Sequence, residues 1–435
     1  MKPALFTLFI GLWVTFSTSL AQDSIFSEPN FHGAGSFPRD IVSKDFNNDG
    51  LPDIAVVNSG DNEIMVLLNT GNGSFLVSDI CSAGTYPVSI YAGLLNDDTY
   101  IDLACANNNS NDVSVFWGYG DGQFGNAVSY GAGGMPRSLC AADFDRDGHI
   151  DLASANTQSN DVSIFHNQGG GVFYPAIAHS VGGSPTSVVA ANLDRTRGED
   201  LILANYNPGM ISVMFNHGDA FFDPPLNHAA GTGPYALAAG YIDGNNTIDL
   251  AIANYDGNSV SIILNNGDST FAAAVDYEVG QWPADICLLD IDFDGNIDVV
   301  TANSLSDDIT VLLNQGDGTF IFAATYPAGD CPVAICTGDF DGNRDIDLVV
   351  ANFWDNNFAI FFNLTNGNFI CGDCNDDENV NLLDILYLID NIYGDGPEPT
   401  PPEAGDVNSD YNLNLLDILY LITSIYGDGA DPVCP

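Results

Sequence analysis

Acidic side chains recur in this 435-residue chain at spacings suited to holding a hard cation. Four stretches share the form Asp-x-Asp/Asn-x-Asp/Asn-x-x-x-Asp. They are Asp45, Asn47, Asp49 and Asp53; Asp143, Asp145, Asp147 and Asp151; Asp290, Asp292, Asp294 and Asp298; and Asp339, Asp341, Asn343 and Asp347. Calcium takes six to eight hard oxygen ligands at ~2.3–2.6 Å, and a tight loop with alternating carboxylates supplies them. An Asx-rich turn without metal can produce one such stretch. Four with the same spacing favour calcium. Three related turns are degraded, with Leu94 in the first place of one, Asn192 and Thr196 in another, and Tyr241 in the third. Weak or no metal is expected there, and Asp102→Ala is expected to cost less than Asp298→Ala.

The turns lie on a strict lattice. Pro38, Pro87, Pro136, Pro185, Pro234, Pro283 and Pro332 follow one another at steps of 49 residues, as do the seven aspartates from Asp53 to Asp347 and the seven asparagines from Asn58 to Asn352. A fixed period of this length marks a repeat architecture. Within residues 135–173, the segments Arg137–Ala142, Ile150–Ala155 and Val162–His166 are short, apolar and β-prone, with Gly, Asn and Asp between them. They read as strands joined by tight turns. A fourth strand is expected after each closing Phe, as in Phe271–Val279. Four strands per unit and seven units predict an all-β, seven-bladed β-propeller. A solenoid would need atypical capping repeats, and the sequence has none. An extra copy of the closing Phe, Phe26, precedes the first proline. Residues 24–35 are therefore expected to complete the last blade and close the ring.

Composition narrows the function. Lys2, an apolar run from Ala4 to Phe16 and a Ser-x-Ala end at Ser19–Ala21 predict a signal peptide over residues 1–21 and a secreted, extracellular protein. No later stretch is long and apolar enough to span a bilayer. The net charge of −50, with only eight Lys plus Arg, argues against nucleic acid and anionic membrane as partners. With 46% hydrophobic residues and acids at fixed positions, the chain reads as folded and cation-binding rather than disordered. Nine cysteines leave at least one unpaired, and Cys140, Cys287 and Cys336, at equivalent positions, read as small buried apolar residues.

The unit resembles the FG-GAP or VCBS repeat, known from integrin α-subunit propellers and many secreted bacterial proteins. Proline, acidic loop, asparagine and closing Phe carry the resemblance, which covers residues 24–370 of an expected propeller domain at 22–370. It implies calcium that stiffens the blades, and a function among adhesion, lectin-like sugar binding and an accessory role beside a polysaccharide-degrading enzyme.

A second repeat, offset by 33 residues, fills 373–396 and 406–429. Each copy is a twelve-residue acidic loop followed by an apolar helix. The loop ligands would be Asp373, Asn375, Asp377 and Asp384, then Asp406, Asn408, Asp410 and Asp417, with the last acid opening the helix. This duplicated loop-helix resembles a dockerin over residues 371–435, which implies up to two further calcium ions and a cohesin-like or other surface protein as partner. Glu378 and Tyr411 stand where dockerins usually have Gly, and Leu382-Leu383 and Leu415-Leu416 where many carry Ser or Thr, which puts an ordinary type I partner in doubt. In such a paired module start and end meet, so Cys374 and Cys434 are the expected disulfide, with Cys371 as the alternative to Cys374. The proline-rich segment 396–405 reads as a stiff connector between the copies.

No HExxH, GxSxG or Gly-rich phosphate loop is present, and His149 merely fills the seventh place of an acidic loop. The candidate ligand face is the one opposite the acidic turns. There Phe37, Tyr86, Tyr206, Tyr255, Trp282, Phe353 and Trp354 either stack a glycan or protein ligand or plug the seams between blades. The reading is a secreted, non-catalytic calcium propeller anchored by its tail. The alternatives are a polysaccharide lyase or glycoside hydrolase, and a purely structural spacer.

Overall fold

The computed structural model describes Ser24–Thr365, except residues 197 and 219, together with six residues of the C-terminal region. Seven four-stranded antiparallel sheets follow one another along the chain. Blade 3 is representative, with strands Pro136–Ala142, Asp151–Asn156, Asp161–Phe165 and Ile177–Ser180. In every blade the second strand is six residues long and wholly buried, starting on the lattice aspartate and ending on the lattice asparagine. Both of its faces are covered, so the run between those residues is apolar or small throughout. The hydrophobic clusters span pairs of adjacent blades. One joins Ile54 and Val56 of blade 1 to Val349, Ala351 and Phe358 of blade 7.

The ring closes as the extra Phe26 predicts. Asn30–Gly33 is the outer strand of blade 7, paired antiparallel with Asn357–Phe361, and Phe26 bridges Asn363. Phe26 is buried against Tyr326 and Phe361. The expected fourth strand Phe271–Val279 needs correction. Phe271 makes only an isolated bridge to Asn265, and the strand proper is Val275–Glu278. Five blades share this break, blade 7 through Phe26 and Asn30–Gly33, whereas Phe75–Ser82 and Phe320–Pro327 run through as single strands with a bulge.

Two further side-chain lattices tie blade to blade. Asn167 Nδ2 donates to the Leu95 carbonyl of the preceding blade at 2.9 Å. Asn216, Asn265, Asn314 and Asn363 repeat this bond to Phe144, Leu193, Ile242 and Ile291. Asn69 makes it to Phe340, across the closure, at 3.0 Å. Blade 2 lacks it because Gly118 stands there, where a Cβ would collide with the Ile101 carbonyl. On the opposite face a turn residue of one blade accepts the backbone N–H just before the next blade's proline. Asn62, Asn111, Asn258 and Asp307 do so, and Asn356 does so for Phe37 across the closure.

In the C-terminal region, Ile385, Leu388 and Ile389 are helical, as are their counterparts one repeat later, Ile418, Leu421 and Ile422. Ile385, Leu388, Ile418 and Leu421 are buried, an i, i+3 pair in each copy. The signal peptide, Phe369, the acidic loops of this module, its connector, Leu382-Leu383, Leu415-Leu416, and Cys371, Cys374 and Cys434 lie outside the described residues. Among the described residues, Cys81, Cys105, Cys140, Cys287, Cys331 and Cys336 form no disulfide. Cys140, Cys287 and Cys336 pack against the core but are only partly buried.

Candidate functional site

The acidic turns join the first and second strands of each blade. Their final aspartate is a structural hub. Asp53 Oδ2 accepts the Phe46 N–H at 2.8 Å and Oδ1 the Asn69 N–H at 2.8 Å. The same two bonds recur at Asp102, Asp151, Asp200, Asp249, Asp298 and Asp347, all buried. The sequence reading gave this residue only a ligand's part, and the bonds add a structural one. Blades with degraded turns use the residue identically, because one carboxylate fastens the start of the turn to the end of the third strand. Burial raises Asp53 and Asp102 to about 6 and Asp200, Asp298 and Asp347 to about 7, against the pull of these N–H donors.

Three of the four complete turns gather their acids tightly. Asp143, Asp145 and Asp147 have ligand atoms all within 4.8 Å of one another, as do Asp290, Asp292 and Asp294, and Asp339, Asp341 and Asp347. Asp145 and Asp151 form a further such group with His166. His166 Nδ1 lies 3.5 Å from both carboxylates, and the neighbouring Asp151 carboxylate raises its pKa. In blade 1, Asp45 Oδ2 accepts the Gly50 N–H at 2.9 Å and Asn47 Oδ1 the Asp49 N–H at 2.9 Å, so Asn47 and three acids line the same turn. Within these turns Asp290 Oδ1 is buried without a hydrogen-bond partner, as is Asp345 Oδ2 in the turn of blade 7. Carboxylate oxygens that are buried, unpartnered and beside other carboxylates suit a divalent cation. In the degraded turns Leu94 and Tyr241 are exposed, and neither side chain offers a carboxylate.

The opposite face gathers the aromatic residues into two groups. Phe37 stacks on Phe353 at 5.0 Å, and Trp354 meets both edge-on. Tyr235 stacks on Tyr255 at 4.8 Å and Tyr255 on Trp282 at 5.2 Å, with Tyr206 edge-on to Tyr235. Tyr206 Oη also donates to Asp256 at 2.7 Å. Phe353 is buried and does plug a seam, whereas Trp282 is 40% and Trp354 57% exposed. Phe37, Tyr86 and Trp282 each precede a lattice proline at φ 56°. Large residues rarely adopt this left-handed conformation, and the turn asparagines of the neighbouring blade hold it in place.

Between the groups a cavity of about 140 Å³ opens at the centre of the ring. Arg39 and Arg137 line it, with Asp40, Tyr86, Tyr235 and Asp285. Arg39 lies over the Phe353 ring at 4.1 Å and bonds Tyr86 Oη at 2.9 Å. Arg137 lies over the Tyr235 ring at 4.5 Å and bonds its hydroxyl. Asp40 and Asp285 each accept a backbone N–H of their own strand and one from the next blade. Burial pushes Asp40 up to about 6 and Asp285 to about 7. The sequence reading missed Arg39, Arg137 and Tyr235. Each stands in the place directly after a lattice proline, and the scarcity of cations was the available signal.

Comparison with known proteins places this geometry. The FG-GAP-like repeat model matches residues 45–93, 95–154, 143–202, 241–301 and 290–350. The dockerin type I domain model matches residues 371–426. No curated protein matches the chain. Among solved structures, BBS1N in complex with ARL6DN is 11% identical, with 78% of this chain and 97% of that one covered at a TM-score of 0.57. A streptogramin B lyase is 15% identical, with 78% and 98% covered at 0.54. The virginiamycin B lyase of Staphylococcus aureus is 14% identical, with 77% and 99% covered at 0.54. At these identities the likeness is one of fold alone.

Proposed function

The chain belongs to the FG-GAP-like repeat family and ends in a dockerin type I domain, and from this premise we propose that it is an extracellular, non-catalytic binding module. Dockerin type I domains bind calcium and attach their proteins to cohesin-bearing partners. The observation that carries the proposal is the joining of such a domain to a propeller whose one face gathers exposed aromatic rings around a polar cavity. A tail of this kind holds the propeller on a surface or complex, leaving its aromatic face to take a carbohydrate or protein ligand. Rings with exposed edges and faces, beside arginine and tyrosine donors, suit sugar rings and hydroxyls.

Calcium serves both parts in this account. In the propeller it would be held by Asp45, Asn47, Asp49 and Asp53, by Asp143, Asp145, Asp147 and Asp151, by Asp290, Asp292, Asp294 and Asp298, and by Asp339, Asp341, Asn343 and Asp347. In the dockerin domain it would be held by Asp373, Asn375, Asp377 and Asp384, and by Asp406, Asn408, Asp410 and Asp417. Its role is to neutralise clustered carboxylates and fix the turns.

The test exposes the full chain, without residues 1–21, to a cohesin panel and a glycan array, each in calcium and in EDTA. The expected result is cohesin capture that EDTA abolishes, together with glycan binding that does not need the cohesin. Sugar release from a polysaccharide mixture would overturn the non-catalytic reading. Failure of every cohesin to bind in calcium would overturn the anchoring.

A further inference from the structure

The chain carries fifty-eight acids and only eight Lys plus Arg, yet two of those eight line one cavity at the centre of the ring. Among the described residues, neither Arg39 nor Arg137 forms an ion pair with a carboxylate. Arg39 Nε is buried and has no hydrogen-bond partner. The bonds to Tyr86 and Tyr235 leave donors over in both guanidinium groups, each of which has five. Arg137 is lowered to about 10, by burial first and then by the neighbouring Arg39 charge, so it stays charged at neutral pH. Two adjacent, partly desolvated cations without a counter-ion are unfavourable, and an anion between them removes that cost. The lining carboxylates, Asp40 and Asp285, do not play this part: each is turned to backbone N–H groups, and neither forms an ion pair with a guanidinium group.

The surroundings specify the anion further. From Tyr235 in the cavity wall a stack of rings runs through Tyr255 to the exposed Trp282. On the other side Arg39 rests on Phe353, which touches the exposed Trp354. The cavity, at about 140 Å³, is smaller than the roughly 300–1,000 Å³ of ordinary ligand pockets. It therefore accepts the end of a ligand, and the aromatic rim meets the remainder of that ligand. We propose that this cavity binds the acidic end of a uronate-containing saccharide, its carboxylate held by Arg39 and Arg137 and its next rings laid on the aromatic rim. The proposal rests on the binding-module reading and names the ligand class of that same face.

The experiment titrates the full chain in calcium with tetragalacturonate, with a neutral galactose tetramer and with an aspartate-rich peptide, by calorimetry. Tetragalacturonate should bind and the other two should not, with affinity falling as salt rises. Arg39→Gln and Arg137→Gln should each weaken binding about tenfold or more, as expected for one charge-assisted bond. Exposed Lys44→Gln should leave it unchanged. Melting curves identify any variant that fails to fold, and the salt dependence of the unmutated chain tests the charge contribution without mutation. Equal binding of the neutral tetramer, or undiminished binding by folded Arg39→Gln and Arg137→Gln, would overturn the arginine site while leaving a glycan-binding propeller in place. Binding of the peptide alone would replace the sugar by a protein carboxylate. Absence of any ligand on a chain that still captures cohesin would remove the binding-face reading itself.

Discussion

Blade 6 and blade 2 hang from the same aspartate and differ in the turn around it. In blade 6, Asp298 accepts N–H groups from Ile291 and Asn314, and Asp290, Asp292 and Asp294 crowd beside it. In blade 2, Asp102 accepts the equivalent N–H groups from Leu95 and Gly118, while exposed Leu94 takes the place of the first acid. Blade 2 also lacks the asparagine that ties every other blade to its predecessor. Both blades nonetheless form the same four-stranded sheet. The buried aspartate thus serves the fold in both blades, the outer acids are the ones that, on the function proposed above, depend on the cation, and the asparagine serves the seam. These roles share one stretch of sequence and separate only when the blades are compared.

The largest expected effect comes from opening the ring, on which complete and incomplete blades depend alike. Deleting residues 24–33 removes the outer strand of blade 7 and the buried Phe26, and bares the edge of Asn357–Phe361. Unpaired edges template association. Gel filtration and calorimetry should show aggregation and no cooperative transition. A truncated chain that melts like the full one would mean that each blade stands on its own contacts.

Next in size are the hubs. Alanine at Asp102 or Asp298 leaves two buried N–H groups without acceptors, at about 1–3 kcal/mol each. Urea unfolding in EDTA should show losses of similar size for the two variants. A near-neutral Asp102→Ala would mean that these bonds contribute little and that the residue matters only in the complete turns.

The seam asparagines should matter less. Asn265→Ala removes bonds to the Leu193 and Ile248 carbonyls at 2.8 and 3.1 Å, and should cost about 1–3 kcal/mol by the same measurement. A variant as stable as the parent would mean that Gly118 costs blade 2 nothing at its seam.

The smallest effect is that of pH. Asp102, Asp200 and Asp285 have native pKa values raised to about 6, 7 and 7. Between the ordinary carboxylate range near 4 and those values, the native state holds more protons than the unfolded chain. Stability therefore falls as pH rises through that window. In EDTA the melting temperature should be higher at pH 5 than at pH 8. A rise in the opposite direction would mean that the N–H donors outweigh burial.

Much of this was legible in the sequence. The step of 49 residues, the closing Phe and its extra copy Phe26 fix seven blades and the place of the N-terminal strand, because strand pairing follows a period of that kind directly. The acids were legible as a set, but not the division of labour within it, since a hub and a ligand are both Asp on the same lattice. The break between Phe271 and Val275–Glu278 was not legible, because both halves carry β-prone residues and differ only in pairing. Arg39, Arg137 and Tyr235 were not legible as a cluster, because a lattice reveals sameness, whereas the place after each proline varies from Arg to Val, Thr, Tyr and Ala.

The most direct test of the separation between hub and ligand is the melting temperature of two variants, Asp102→Ala and Asp290→Asn, each measured in calcium and in EDTA. Asn keeps the acceptor for the Gly295 N–H but removes the charge. Asp102→Ala should lower the propeller transition by the same amount in both conditions, and Asp290→Asn should lower it only in calcium. If the cost of Asp102→Ala vanishes in EDTA, or Asp290→Asn costs as much in EDTA as in calcium, the division of roles is wrong.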